Sequence, residues 1–128
     1  NDQIFKNTVL DEVMFGPMQI GMSKDKAKEV ALKALDMVGL KGTEKINPYD
    51  LGLSERKMVS IAAIVAMDTK VVIFDEPTIA QDYMGKKRIQ AIMKELQRQH
   101  KIVIWISLRK HLTGQSYLQK EMHCWTEM

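Results

Sequence analysis

The stretch that most constrains the fold is Val71–Thr78, with the sequence VVIFDEPT. Four consecutive apolar residues of β-branched or aromatic type are typical of a strand buried on both faces. Asp75 and Glu76 follow at once, and Pro77 cannot continue the hydrogen-bonded ladder. In a parallel sheet, such a strand brings its carboxyl end to the crevice where ligands bind. The stretch therefore predicts a buried parallel strand that presents two acids at a ligand site.

Two adjacent carboxylates at that position would repel each other unless a cation or a polarised water lies between them. Asp75 is placed to hold Mg²⁺, directly or through water, because hard cations prefer oxygen ligands. Glu76 points in another direction and could orient and deprotonate an attacking water. The alternative is that the strand ends in acids because the chain re-enters solvent there, and the stretch alone does not decide between the two interpretations.

Composition limits the class of protein. A chain of 128 residues, 45% apolar and 27% charged, is typical of one globular domain with a real core. The net charge of +3 is too small and too evenly spread to indicate nucleic acid or a membrane surface. The single Cys124 excludes an internal disulfide and fits a reducing compartment. No apolar run approaches the ~18 residues of a membrane span. Because the chain does not begin with Met, we expect an internal piece of a longer protein.

Apolar periodicity and capping residues predict three helices before the key strand. We expect a short helix capped by Thr8 that ends at Phe15–Pro17, and a second helix capped by Ser23 and closed by Gly39. A loop over Lys41–Leu53 follows. Ser54 is expected to cap a third helix over 55–67, which is apolar nearly all round and should be buried.

A second apolar run, Ile102–Ile106, follows a fourth predicted helix that begins near Asp82 and has its buried stripe at Ile89, Ile92, Met93 and Leu96. Strand, helix and strand of these lengths predict a right-handed parallel βαβ unit. The tail over 108–128 has no clean period of either kind and stays unassigned.

Four landmarks in this order resemble the C-terminal part of an ATP-binding cassette (ABC) ATPase domain. Val71–Glu76 resembles the Walker B strand with its catalytic glutamate, and Ile79–Asp82 resembles the D-loop. Leu51–Lys57 occupies the place of the signature loop. Upstream, Asp2–Phe5 and Thr8–Pro17 resemble the start of the helical subdomain in the energy-coupling-factor branch, whose members import vitamins and metal ions. The likeness runs from Asn1 to Ser107.

The resemblance implies an α/β fold: a partial P-loop NTPase (ABC ATPase) fold with a helical subdomain and a parallel βαβ core piece. It implies a helical subdomain and signature loop over 1–53, the Walker B and D-loop part of the core over 54–107, and an atypical tail over 108–128. The cofactors implied are ATP and Mg²⁺, with Glu76 as the catalytic residue and Asp75 at the metal. The residues implied to contact nucleotide are Gly52, Leu53, Ser54, Glu55 and Asp82.

The family mechanism pairs two cassettes head to tail, so each nucleotide lies between the Walker motifs of one subunit and the signature loop of the other. The function implied is the ATP-hydrolysing subunit of an energy-coupling-factor importer of a vitamin or metal ion, cytoplasmic and peripheral on the inner face of the membrane. Its partners would be a second ABC ATPase subunit and a transmembrane subunit, with no nucleic acid. The alternatives are a non-catalytic ABC-like interaction fragment, or an ABC ATPase of DNA repair or translation.

Several departures from the family pattern matter. No phosphate loop ending in GK[ST] occurs, and Gln3 does not match the Q-loop glutamine, so we expect this chain alone to be inactive. Gly52 stands where the serine of LSGGQ is common, and Ser54 where the second glycine is. Leu108 replaces the switch histidine, and His111 is interpreted as a surface residue. The tail does not resemble the family's next strand, and one hypothesis is a frameshift or splice near Ser107.

Taken singly, each landmark also has an ordinary structural explanation. Ser54 and Asp82 can be helix caps, and Trp105 in an apolar strand is expected to be core. The run Lys86–Arg88 is expected to be a solvated helix face and not a phosphate site. It is their order and spacing together that favour the ATPase interpretation.

Overall fold

The computed structural model describes residues 8–75, 81–110 and 118–125, and for 107–110 and 118–125 it describes the backbone alone. The chain divides into two compact units, Asn1–Asp68 and Thr69–Met128. The predicted division after residues 53 and 107 rests on the family resemblance and stays a prediction. The described elements, in chain order, are α1 (Val9–Gln19), α2 (Lys24–Met37), a 3₁₀ segment (Pro48–Asp50), α3 (Leu53–Ala66), β1 (Val71–Asp75), α4 (Tyr83–Arg98), β2 (Ile102–Lys110) and β3 (Leu118–Trp125).

The first unit is a set of three mutually packed helices. Thr8 caps α1 as predicted, because its hydroxyl accepts from the Asp11 N–H while the Asp11 carboxylate accepts from the Thr8 N–H. The prediction that α1 ends at Phe15–Pro17 is wrong, since the helix continues to Gln19. Pro17 loses only its own donor, and the Gly16 carbonyl still accepts from the Ile20 N–H at 3.2 Å.

The second helix follows the sequence closely. Ser23 caps α2 by accepting from the Lys26 N–H, and Gly39 follows its end with a φ of 78°. One side of the helix faces the core, with Ala27, Ala31, Ala34, Leu35 and Val38 buried and Val30 half-buried. The core of this unit consists of the fully or nearly fully buried apolar side chains Val9, Val13, Met14, Ala27, Ala31, Ala34, Leu35, Val38, Leu40, Leu51, Met58, Val59, Ile61, Ala62 and Ala66.

The predicted N-cap of α3 is wrong by two residues. The helix begins at Leu53 with Gly52 as its N-cap, so Ser54 lies inside the first turn. The reason is local, because the Glu55 carboxylate accepts from the Gly52 N–H at 3.0 Å and thereby fixes Gly52 at the capping position. The predicted burial of this helix is confirmed only in its second half, where 61–66 are buried or half-buried, whereas Leu53, Glu55, Arg56 and Ser60 are exposed.

The second unit has the predicted βαβ arrangement. β1 and β2 are parallel, with Val71 opposite Ile102 and Asp75 opposite Ile106. α4 lies between them in the sequence, and its predicted stripe of Ile89, Ile92, Met93 and Leu96 is buried. The prediction that these two strands are parallel neighbours is therefore confirmed.

The prediction that β1 is buried on both faces is wrong. Val72 and Phe74 are buried, but Val71 is 45% exposed and Ile73 is 54% exposed. Ile102, the register partner of Val71, is 41% exposed on the same face, opposite to the face on which Val103 is buried. One face of the sheet is therefore covered, and the other presents β-branched apolar side chains.

The tail contributes a strand that the sequence did not predict. β2 continues past Ile106 to Lys110, and β3 pairs with it antiparallel, with Val103 opposite Trp125 and Lys110 opposite Leu118. The sheet order is therefore β1-β2-β3. The sequence of β3 has no alternating apolar pattern. Backbone pairing with an existing strand does not require one, so the strand could not be predicted from periodicity. The frameshift hypothesis remains untested.

Candidate functional site

Asp75 is the last residue of β1 and lies at the carboxyl end of a parallel strand, as the sequence predicted. Its side chain is exposed, and it lies level with Ile106 of the neighbouring strand. Glu76, together with the rest of 76–80, lies outside the described residues. The structure thus places the metal candidate at the expected edge of the sheet, and the catalytic assignment of Glu76 stays a prediction.

Asp82 stabilises the start of α4. Asp82 is the N-cap, and its Oδ1 accepts from the Gly85 N–H at 2.8 Å, which confirms the capping interpretation. The preceding Gln81 is a buried polar residue, only 8% exposed. A Cβ at Gly85 would overlap the Gln81 side-chain oxygen, so the absence of a side chain there creates the space that Gln81 fills. The proposed contact of Asp82 with nucleotide stays a prediction.

The signature-loop candidates surround the first turn of α3. Gly52 is the N-cap, Leu53 is 74% exposed, Ser54 is half-buried and Glu55 is exposed. The first backbone N–H groups of a helix have no partner within the helix, and the helix dipole favours an anion there. Ser54 can add its hydroxyl to these donors. The turn has the chemistry of an anion site, and its use for nucleotide stays a prediction.

Arg56, which no sequence pattern singles out, stabilises the loop before α3. Its Nε donates to the Leu51 carbonyl at 3.1 Å, and its Nη2 donates to the Tyr49 carbonyl at 2.7 Å. The guanidinium also lies over the Tyr49 ring, 5.6 Å from the centroid. No periodic pattern reveals such a contact. The available signal was an arginine in the first turn of a predicted helix, directly after a Pro-containing loop whose carbonyls a guanidinium can reach.

Leu108, at the position of the switch histidine, lies in β2 two residues beyond Ile106 and opposite Lys120. At about 3.3 Å per residue, its backbone lies roughly 7 Å past the level of Asp75. A leucine side chain can neither donate to a phosphate nor orient a water. The side chain at this position therefore contributes no polar group to a nucleotide site.

A metal ion would depend on few protein ligands. Among residues 8–75 and 81–106, whose side chains are described, no three His, Cys, Asp or Glu side chains lie close enough together to form a metal-binding group. Mg²⁺ commonly uses one or two carboxylates, phosphate oxygens and water, so a single Asp75 fits that mode and not an all-protein cage. No helix in the described part of the chain is long and apolar enough to cross a membrane.

The chain is similar to known ATP-binding proteins. It is 39% identical, over 111 residues, to the energy-coupling factor transporter ATP-binding protein EcfA2 of Streptococcus thermophilus, covering 86% of this chain and 39% of that protein. It matches the structure of cbiO1 from Clostridium perfringens, part of the ABC transporter complex cbiONQ, at 30% identity and a TM-score of 0.67, covering 81% of this chain and 41% of that one.

A second structural match is MJ0796, a bacterial ABC transporter cassette whose structure is dimeric. It has 22% identity and a TM-score of 0.65 and covers 77% of this chain and 52% of that one. At this identity the match supports the fold alone. The chain spans about two fifths of the length of EcfA2 and of cbiO1. No protein-family model matches the chain.

Proposed function

Because the chain is homologous to the ATP-binding proteins of ABC transporters and has part of their P-loop NTPase fold, we propose that it supplies the Walker B and signature parts of an ATP-hydrolysing transporter subunit. The proposed transporter is an importer of energy-coupling-factor type that takes up a vitamin or metal ion. The subunit would be cytoplasmic and peripheral on the inner face of the membrane.

The observation that carries this proposal is the place of Asp75. It ends β1, a strand that is parallel to β2 and joined to it through α4, so its carboxylate lies at the edge where ligands of parallel sheets bind. The 39% identity to EcfA2 extends over 86% of the chain and includes this strand among its landmarks. An acid at this edge of an ATPase core has a direct use in holding Mg²⁺.

Each proposed site residue has its own role in ATP hydrolysis. Asp75 would hold Mg²⁺, which would supply charge stabilisation to the phosphates, and Glu76 orients and deprotonates the attacking water. The turn formed by Gly52, Leu53, Ser54 and Glu55 faces the nucleotide of a second ABC ATPase subunit, to which the backbone N–H groups of Leu53 and Ser54 would donate. Asp82 fixes the D-loop through its cap and faces the same interface. Catalysis by this set is positioning and charge stabilisation, with no covalent step.

The proposed transmembrane partner binds the helical unit. Phe15, Met18 and Ile20 are 66%, 44% and 56% exposed within six residues of sequence at the end of α1. Exposed large apolar side chains in such a group mark a protein interface more often than a solvated surface. The EcfA2 relative is named as part of an energy-coupling factor transporter, which gives the class of partner.

The proposal is tested by joining this chain to the preceding part of EcfA2, in place of the region that the chain matches. We expect Mg²⁺-dependent ATP hydrolysis by this chimera, and a loss of roughly 10²–10⁴-fold in turnover with Glu76→Gln while ATP binding persists. Glu12→Gln makes the same chemical change on α1 and should leave turnover unchanged. Full turnover by Glu76→Gln would contradict the assignment of the base.

The chain alone should not hydrolyse ATP, because the backbone donors and lysine of a phosphate loop supply most of the affinity for the β- and γ-phosphates. Phosphate release and binding of a fluorescent ATP analogue are measured on the purified chain and on Glu76→Gln. Turnover that disappears with Glu76→Gln would overturn this expectation. A chimera that binds ATP but never hydrolyses it would instead favour the non-catalytic interaction fragment.

A further inference from the structure

A cavity of about 350 Å³ lies between α4 and β2, within the second unit. Met93, which is buried, and Trp105, which is half-buried, give it apolar walls. Gln90, Lys94 and Gln97 line it from α4 and place two amides and one ammonium at its margin. This volume is at the small end of ligand sites, and it suits one bulky apolar side chain better than a whole cofactor.

The helix beside the cavity has a strongly basic surface. Lys86, Lys87, Arg88 and Lys94 are exposed on α4, and the one acid of this helix, Glu95, is occupied by Arg98 at 2.6 Å. Among the residues whose side chains are described, none of these four cations has an acidic partner. Three of them lie in the first half of α4, where the helix dipole disfavours positive charge and where the N-cap Asp82 is the one acid. A negatively charged partner would offset this cost.

The spacing on α4 aligns this charge with the cavity. Lys87 and Lys94 are seven residues apart, as are Gln90 and Gln97, so each pair lies on one side of the helix and about 10.5 Å apart. An extended peptide covers that distance in about three residues at 3.3 Å each. The two amides can both donate to and accept from a peptide backbone, whereas a flat lipid surface could not enter the cavity.

We propose that the groove formed by α4 and Trp105 binds an acidic segment of another protein, which inserts one bulky apolar side chain into the cavity. Its carboxylates pair with Lys87 and Lys94, and its backbone meets Gln90 and Gln97. The ammonium groups set orientation and salt dependence, and the apolar anchor between Met93 and Trp105 supplies the desolvated centre of the contact.

The test uses the 128-residue chain and a fluorescein-labelled peptide in which acidic residues flank one phenylalanine, followed by anisotropy at low and physiological salt. Two control peptides replace the phenylalanine by alanine or the acids by their amides. We expect saturable binding of the first peptide only, weakening as salt rises. Lys94→Glu should reduce affinity at least tenfold, and Lys87→Glu with Lys94→Glu should abolish it. Lys28→Glu makes the same charge change on α2 and should leave affinity within twofold.

Lys94→Gln serves as a second variant that removes charge without reversing it, and we expect an intermediate loss. Circular dichroism confirms that each variant is folded, which is expected because these lysines are exposed. Equal binding of all three peptides, or binding that Lys94→Glu does not change, would overturn the proposal. So would binding to phosphatidylserine vesicles or to single-stranded DNA that Lys94→Glu abolishes while the acidic peptide does not bind.

Discussion

In the unit Asn1–Asp68, three helices direct their apolar stripes at one another, and Val13, Ala31 and Leu35 are completely buried. In the unit Thr69–Met128, Val72, Phe74 and Val103 are buried on one face of the sheet, while the other face leaves Ile73 54% exposed. Three helices can enclose a core among themselves, whereas a sheet with one helix layer covers only one of its faces. The helical unit therefore buries the apolar side chains of its core completely, whereas the sheet unit leaves apolar side chains exposed on one face of its sheet.

The largest expected effect comes from truncating matched apolar residues in the two units. Leu35→Ala should lower the free energy of unfolding by about 2–5 kcal/mol, because the cavity it leaves is fully enclosed. Ile73→Ala should cost less than about 1 kcal/mol, since more than half of that side chain is already in water. Urea unfolding followed by circular dichroism measures both. Equal costs would show that the exposed face of β1 is covered in solution.

The exposed face should also make the purified chain associate. Ile73→Lys is expected to weaken self-association at least about tenfold, because burying an isoleucine side chain contributes about 1.5–3 kcal/mol. Sedimentation velocity over a concentration series measures the shift. Leu32→Lys on α2 replaces a side chain that is 38% exposed in the helical unit and should not change association. A monomeric wild-type chain would contradict this prediction.

The sheet unit nevertheless contains one closely packed point, at the start of α4. Gly85→Ala should lower stability by about 1–3 kcal/mol through overpacking, although alanine is the better helix former by roughly 1 kcal/mol. The reason is the Gln81 side chain, which occupies the space that the new methyl group needs. In a Gln81→Ala background, Gly85→Ala should become neutral or stabilising. A cost that persists in that background would mean that the amide of Gln81 is not what limits the space, since the Asp82 carboxylate and the Cβ of residue 81 also lie 3.2 Å from the added methyl group.

Among the described residues, each unit has one non-glycine residue in the left-handed region just after a helix. Asp68 follows α3 with a φ of 53°, and His100 follows α4 with a φ of 61°. Because glycine adopts this conformation without steric cost, Asp68→Gly and His100→Gly should each change stability by no more than about 1 kcal/mol, in the stabilising direction. Thermal unfolding of the two variants compares them. A loss at one site would show that its side-chain interactions outweigh the backbone strain.

The smallest expected effect is electrostatic. Hydrogen bonds from Arg98 and Gln99 lower the pKa of Glu95 to about 2, and hydrogen bonding from Lys33 lowers the pKa of Glu29 from its ordinary value. A lowered folded-state pKa contributes stability above the unfolded value of about 4.3 and loses it as pH falls toward 2. As pH falls, carboxyl NMR titration should show Glu95 becoming protonated at a lower pH than Glu29. In Arg98→Gln, the Glu95 titration should move back up.

The sequence predicted the elements whose signals are local. Thr8, Ser23 and Asp82 were identified as caps because one side chain and one nearby N–H decide a cap. The start of α3 was misplaced because Ser54 has the better capping side chain, while the deciding bond runs from Gly52 to Glu55. The exposed face of β1 depends on which other elements cover the sheet, which no local pattern contains. The pairing of β3 was missed for another reason: β3 follows β2 closely in the sequence, but its own residues do not alternate between apolar and polar.

Arg56 has a mechanical consequence for the loop before α3. One guanidinium, carried by the first turns of a helix, is bonded to two carbonyls of the preceding chain, at Tyr49 and Leu51, and stacks on the Tyr49 ring. Two bonds and one stacking contact from a planar group resist both translation and twisting, which a single bond would not. A displacement of α3 is therefore transmitted to Pro48–Asp50, so we expect the helix and the loop before it to move together as one rigid body.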